Sequence, residues 1–195
     1  MNFPLSPEVI SAILGEFGPI TNVRANWPLV EGALDRHGVY SSPYVGVAAI
    51  ATIRTETGRF SPIRERGGPS YLAAHYENRK DLGNVNPGDG VRFCGRGFIQ
   101  ITGRVNYARF GEEIGQDLVS NPDLALEPST AAEIFALFFL ERGIARVADQ
   151  QNWEMVRRRV NGGLNGYSDF MDAVTKLVSA LKNPPPAAGT QSEAS

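Results

Sequence analysis

The sequence predicts an α+β fold that is mostly α-helical. Apolar residues recur at helical spacing through the first 57 positions and again between about 129 and 182. Between them, residues 58–111 change texture to Gly, Pro, Asn and Arg, with short β-like runs. With 195 residues and 42% hydrophobic side chains, the chain is long enough to bury a full core. One domain over residues 1–182, divided by a cleft, is the expected organisation. Long irregular segments inside compact domains tend to carry function, so the middle of the chain is where a site is expected.

Taken in order, helices are expected at about 6–17, 26–37, 43–57, 129–142 and 168–182, with a weaker one at 152–160. Ser6 is a cap residue, and Pro7 suits the first helical turn. In the third helix Val45, Ala49 and Ile53 share a face, Glu56 continues it, and Gly58 ends the helix. The Glu56 carboxyl therefore stands at a helix C-terminus on the buried side. Desolvation and the negative end of the helix dipole both disfavour its charged form, which raises its pKa and suits it to donate a proton. Pairing with Arg54, Arg59 or Arg64 is the equally weighted alternative.

Residues 91–94 and 98–102 read as strands. In the second, strict alternation puts Phe98, Gln100 and Thr102 on one face and Ile99 and Ile101 on the other. Gly95, Gly97 and Gly103 around it allow close approach of a ligand, so this strand is expected to floor a cleft. Thr130 and Glu133 read as a T-x-x-E capping box ahead of IFALFFL, residues 134–140. Apolar residues surround that helix on all sides, which marks it as the central buried one. The proline-rich end, residues 183–195, is expected to be a disordered tail.

The longest wholly apolar run is far short of the roughly 20 residues a membrane helix needs, and the N-terminal stretch lacks a secretion pattern, so a cytoplasmic site of synthesis is expected. A single cysteine, Cys94, excludes an internal disulfide and reads as a small buried residue. From residue 54 to 109, ten basic residues face five acidic ones, a net +5 within a chain of net −2. Such a surface attracts polyanions: nucleic acid, the carboxylate-bearing bacterial wall or lipid head groups. No zinc-finger spacing or RNA-binding signature accompanies it, so no nucleic-acid partner is expected. His37 and His75 stand in no nucleophile elbow or metal-ligand spacing. Glycoside hydrolysis, by contrast, needs an acid and usually a second carboxylate. Glu65 follows nine residues after Glu56 between Arg64 and Arg66, which would keep it ionised as a base; Glu77, Asp81 and Asp89 are the alternatives.

The segments TETG at 55–58, GRGFIQITGRVNY at 95–107, NPDLA at 121–125 and NGGLNG at 161–166 together resemble the family 19 glycoside hydrolases, and within them the compact phage and prophage endolysins. The resemblance covers about residues 40–170. It implies a lysozyme-like, two-lobed, mostly helical fold with a small β region beside the cleft. It also implies cleavage of β-1,4 bonds next to N-acetylated sugars, with inversion and without metal or cofactor. By motif, Glu56 matches the general acid, with Thr55 where the family has His. Thr102 matches the hydroxyl that helps hold the attacking water, and Gln100, Asn106 and Asn161 match substrate contacts. Glu65 is expected as the base, with Glu77 next; were neither to serve, a lytic transglycosylase using one acid is the chemistry to consider. Arg96 is expected to be structural.

The function expected from these readings is a peptidoglycan-cleaving endolysin, monomeric, without stable membrane insertion, held in the host cytoplasm until a holin releases it to the periplasmic wall. A chitinase of the same family and a catalytically idle saccharide-binding or phage structural protein are the alternatives.

Overall fold

The computed structural model describes residues 3–184. In chain order the helices and strands are α1 (Pro7–Leu14), α2 (Ile20–Arg36), α3 (Pro43–Thr57), β1 (Ile63–Arg64), α4 (Pro69–Tyr76), α5 (Asp89–Arg92), β2 (Arg96–Gly97), α6 (Arg104–Ile114), α7 (Pro128–Glu141), α8 (Ile144–Asp149), α9 (Trp153–Asn161) and α10 (Tyr167–Lys182). The architecture is α+β and mostly helical, as expected, with one small two-stranded sheet and two core clusters among the described residues. Most of the expected tail, residues 185–195, lies outside the described residues.

Local chemistry accounts for several boundaries. The Ser6 hydroxyl accepts from the Val9 amide, and Ser42 caps α3 in the same way through Tyr44. α2 begins six residues earlier than expected and runs through Pro28. Val23, Trp27, Val30 and Leu34 make one buried stripe along it, and that packing outweighs the one backbone hydrogen bond the proline removes. The expected capping box is not formed. Pro128 starts α7 early, with Glu127 at the cap position. Thr130 is buried and donates to Gln116 Oε1 at 3.0 Å, while Glu133 pairs with Arg36 and His37.

The apolar circumference of α7 has a structural reason. Phe135, Ala136 and Phe139 belong to the main core with residues of α1, α2, α3, α8, α9 and α10. Ile134 and Leu137 belong to a second core with Phe93, Ile101, Tyr107, Phe110 and Leu118. The helix thus stands between two lobes and serves both. In the main lobe the Phe135 ring stacks on Phe139 at 4.4 Å and meets Phe98 edge-on at 6.3 Å.

Four helices, α4, α5, α6 and α8, fall where loops or strands are expected from the sequence. Residues 91–94 are not a strand but the end of α5 and the turn after it. Residues 98–102 are not a strand either. β1 and β2 pair antiparallel in the register Ile63 to Gly97 and Arg64 to Arg96. The chain then turns at once, and Ile101 comes back to exchange both backbone hydrogen bonds with Arg96. Gly97 has φ +91°, a conformation that suits glycine and opens this turn. Gln100 has φ +53°, so the alternation that would put Phe98, Gln100 and Thr102 on one face does not exist.

Candidate active site

Glu56 lies in the last turn of α3, which Gly58 closes in a left-handed conformation while donating to Arg54 O at 3.0 Å. Its side chain is 20% exposed and accepts a hydrogen bond from Arg157 Nη1. None of the three expected arginines fills that role. Arg54 donates to Asp169 O and reaches Asp172 on α10. Arg157 comes from the inward side of α9, and only 4% of its side chain is exposed. Its Nε donates to Asn165 O at 2.7 Å. Asn161 Nδ2 donates to the same carbonyl at 2.9 Å, and its Oδ1 accepts from Gly163 N. Asn161, expected to touch substrate, uses both of its polar groups to shape the 161–166 loop. That loop presses on the end of α3: a Cβ on Gly166 would stand 2.9 Å from Thr55 Cγ2. The loop therefore fixes Arg157, and Arg157 fixes Glu56.

The connection from Glu56 to Glu65 is anchored midway. Asn22 and Asn26 of α2 donate to the carbonyls of Arg59 and Phe60 at 2.8 and 2.9 Å. Phe60 is fully buried at φ +54°, a conformation that persists only when the surroundings hold it. Asn26→Ala would leave a buried carbonyl without its donor, and a loss of about 1–3 kcal/mol in chemical denaturation is the expected result.

Glu65 follows β1 directly. Its backbone N–H donates to Gly95 O at 2.8 Å. Its Oε2 accepts from Gly95 N at 3.0 Å, and its Oε1 accepts from the Tyr76 hydroxyl at 2.8 Å. Gly95 sits so close that an added Cβ would be 2.9 Å from Gln100 Oε1 and 3.2 Å from Glu65 Oε2. The base candidate and Gln100 thus share one narrow place. The other carboxylates are engaged elsewhere. Glu77 accepts from Gly88 N and Gly90 N, Asp81 pairs with Arg79 at the surface, and buried Asp89 accepts from Val85 N, Asn86 N and Arg104.

Burial, and next the bond to Glu65, push the Tyr76 phenol up to about 12. It therefore stays a donor to Glu65 throughout the neutral range. An unfolded tyrosine ionises near 10, so the stability from this shift is intact below that pH and is lost as pH rises towards 12. Tyr76→Phe removes the donor and keeps the ring. Steady-state kinetics are expected to show kcat about tenfold lower, with KM little changed, because the carboxylate loses its fixed orientation.

The hairpin residues do line a cavity. Gln100, Thr102 and Asn106 enclose a space of about 220 Å³ together with Arg109, Phe138 and Arg142. Their donors, however, are used internally. Gln100 Nε2 donates to Ile63 O and Gly97 O, locking the turn to β1. Thr102 Oγ1 donates to Gln100 O at 3.0 Å, and Asn106 Nδ2 donates to Thr102 O at 2.7 Å. These internal bonds hold the three side chains on a rigid frame at the cavity wall. Arg96 is structural, as expected: it is buried and donates to Asp123, Arg92 O and the Tyr107 hydroxyl.

Arg157 and Tyr76 are not among the residues the sequence reading selects. Arg157 had a visible signal, since Trp153, Val156, Arg157 and Val160 form an i, i+3, i+4, i+7 stripe that turns this one arginine of three inward. Tyr76 had none beyond its distance of eleven residues from Glu65.

Comparison with known proteins gives the family and the fold. Residues 46–162 match the sequence profile of the family described as chitinase class I, the family 19 glycoside hydrolases. A Haemophilus influenzae protein with a glycosyl hydrolase family 19 domain is 39% identical over 111 residues, covering 54% of this chain and 49% of that one. The acidic 27 kDa endochitinase of Solanum lycopersicum is 50% identical over 50 residues, 26% of this chain and 20% of its own length. The chain thus spans about half of the first of these relatives and less of the second. Among solved structures, chitinase C from Streptomyces griseus HUT6037 superposes with a TM-score of 0.69 at 17% identity, over 93% of this chain and 78% of that one. That likeness is one of fold.

Proposed function

The chain belongs to the family 19 glycoside hydrolases, and from that premise we propose that it hydrolyses β-1,4 bonds of bacterial peptidoglycan. In this reading Glu56 protonates the glycosidic oxygen. Glu65 takes a proton from a water that the Thr102 hydroxyl helps to hold, and the water attacks the opposite face of the sugar with inversion. Gln100, Asn106 and Asn161 shape the surface on which the sugar lies. The observation that carries the acid–base part is the pair of carboxylates at either end of one anchored connection, Glu56 clasped by Arg157 and Glu65 by Tyr76 and Gly95.

Preference for peptidoglycan rests on charge. Chitin is uncharged, whereas murein carries carboxylates on its peptides, and residues 54–109 carry a net +5. The protein is then an endolysin, waiting in the host cytoplasm until a holin gives it access to the wall. A chitinase is the second reading, favoured by the endochitinase that shares half its residues with this chain over a 50-residue stretch. Incubation with purified murein and, separately, with chitin oligomers decides between them. Release of murein fragments at a rate at least ten times that of chitin cleavage supports the first reading, and the reverse order overturns it.

A further inference from the structure

A second cavity, of about 470 Å³, opens beside the proposed site, lined by Arg64, Arg92, Arg104, Asp89 and Ser120 among others. Arg64 is the residue before Glu65, and Arg104 follows Thr102 by two positions, so its rim begins within one or two residues of the proposed water-holding pair. Arg64 lines this cavity, and Glu65, the next residue, is not among its lining residues.

Two of its three guanidinium groups are fixed in place. Arg104 makes a two-pronged pair with Asp89 through Nε at 3.0 Å and Nη2 at 2.6 Å, and it lies over the Phe93 ring at 4.6 Å. Arg92 donates to Val119 O and Ser120 O from Nη2, and its guanidinium stands 5.7 Å from the same ring. Each keeps Nη1 without a partner among the described residues, and Arg64 is exposed and makes no hydrogen bond or ion pair there. Asp89 is itself buried and neutralised by Arg104. The wall therefore presents spare N–H donors and a net positive charge, held by stacking and hydrogen bonds made before any ligand arrives. Planar guanidinium forks of this kind match carboxylates.

We propose that this cavity binds a carboxylate of the murein stem peptide, so that the enzyme recognises the peptide as well as the glycan strand. The inference rests on the peptidoglycan reading and deepens it. The stem begins on the sugar next to the scissile bond, and each extended residue spans about 3.5 Å, so its second to fourth residues, which carry the free carboxylates, lie up to about 7–14 Å from that sugar.

The test uses the full chain with Glu56→Gln, titrated by NMR or calorimetry with the soluble tetrapeptide L-alanyl-γ-D-glutamyl-diaminopimelyl-D-alanine. Saturable binding is expected, weakened about tenfold by Arg64→Gln and by amidation of the peptide carboxylates, as loss of a charge-assisted hydrogen bond implies. The Arg64 side chain is exposed and makes no hydrogen bond or ion pair among the described residues, and its strand pairing with Arg96 is made by the backbone, so Arg64→Gln leaves the fold intact; Lys176→Gln, on the exposed side of α10, is the charge control and binds like the parent. Absent binding, equal binding by Arg64→Gln, or equal binding of the amidated peptide overturns the proposal. Digestion of murein by the unsubstituted protein is scored separately. If murein is not cut but the peptide binds in the expected pattern, the activity reading falls and the pocket stands. If murein is cut and the peptide does not bind, the pocket falls and the activity stands.

Discussion

Glu56→Gln is expected to lower turnover by about 10²–10⁴-fold, the range that removal of a positioned general acid produces. The amide cannot give up a proton to the leaving oxygen, yet its own oxygen can still accept from Arg157 Nη1. The variant should therefore fold, melt close to the parent and bind substrate with little change. In kinetic terms the loss sits in kcat, as for an interaction made only in the transition state. The experiment pairs a melting curve with initial rates on purified wall material. Retained activity in a folded variant would remove Glu56 from the chemistry, and with it the account of α3 as the element that delivers the acid.

The second large effect belongs to Arg157. Its guanidinium donates at once to Glu56 and, at 2.7 Å, to the carbonyl of Asn165. A lysine there carries the same charge, but as a single compact ammonium it cannot reproduce the planar fork that spans both partners. Arg157→Lys is accordingly expected to lose about 100-fold in kcat, the order of cost that a misplacement near 1 Å imposes on a reacting group. KM should change little. Arg157→Ala should lose as much activity and some stability too, because the Asn165 carbonyl and the carboxylate are both left without their donor. If the lysine variant worked as well as the parent, the charge alone would suffice and the orienting role would be wrong.

How much of this was legible beforehand depends on how local each signal is. Glu56 could be placed because helix spacing and Gly58 are local: Val45, Ala49 and Ile53 define the face, and the glycine marks the end. The buried helix around residues 134–140 could be placed for the same reason. Its two-sided role could not, because a second core is a tertiary fact. The strand at 98–102 failed because period-two reasoning assumes an extended chain, whereas Gly97 allowed an immediate turn and the Gln100 amide took over the hydrogen bonding to Ile63 and Gly97. The alternating residues were real, but the geometry that gives alternation meaning was absent.

The helix α6 was hidden by the same assumption. Tyr107, Phe110, Gly111 and Ile114 carry helical spacing, yet they follow a segment read as a strand and its turn. The capping box failed because Pro128 fixes an earlier start, which leaves Thr130 and Glu133 free to serve other contacts. Arg157 touches Glu56 across 101 residues of sequence. No local pattern names such a partner, although the stripe on α9 showed that this arginine faces inward.

One pH effect follows from Asp89, whose carboxyl the Arg104 guanidinium and the backbone N–H groups of Val85 and Asn86 hold below the usual range. Its stabilising contribution is fully present above the unfolded value near 3.9 and is lost as pH falls through the lower folded value. Asp89→Asn should therefore melt at a lower temperature at neutral pH, and the gap to the parent should narrow below about pH 4. A gap that stays constant down to pH 2 would show that the carboxylate charge contributes nothing there.

The central claim is that two carboxylates act on opposite sides of the sugar, one giving a proton and the other steering a water. The most direct measurement is proton NMR of the reducing end at the moment it forms, recorded within minutes of adding enzyme to soluble murein glycan and before mutarotation. The α-anomer appearing first is the predicted result. The β-anomer first, or a 1,6-anhydro sugar with no water incorporated, would contradict it.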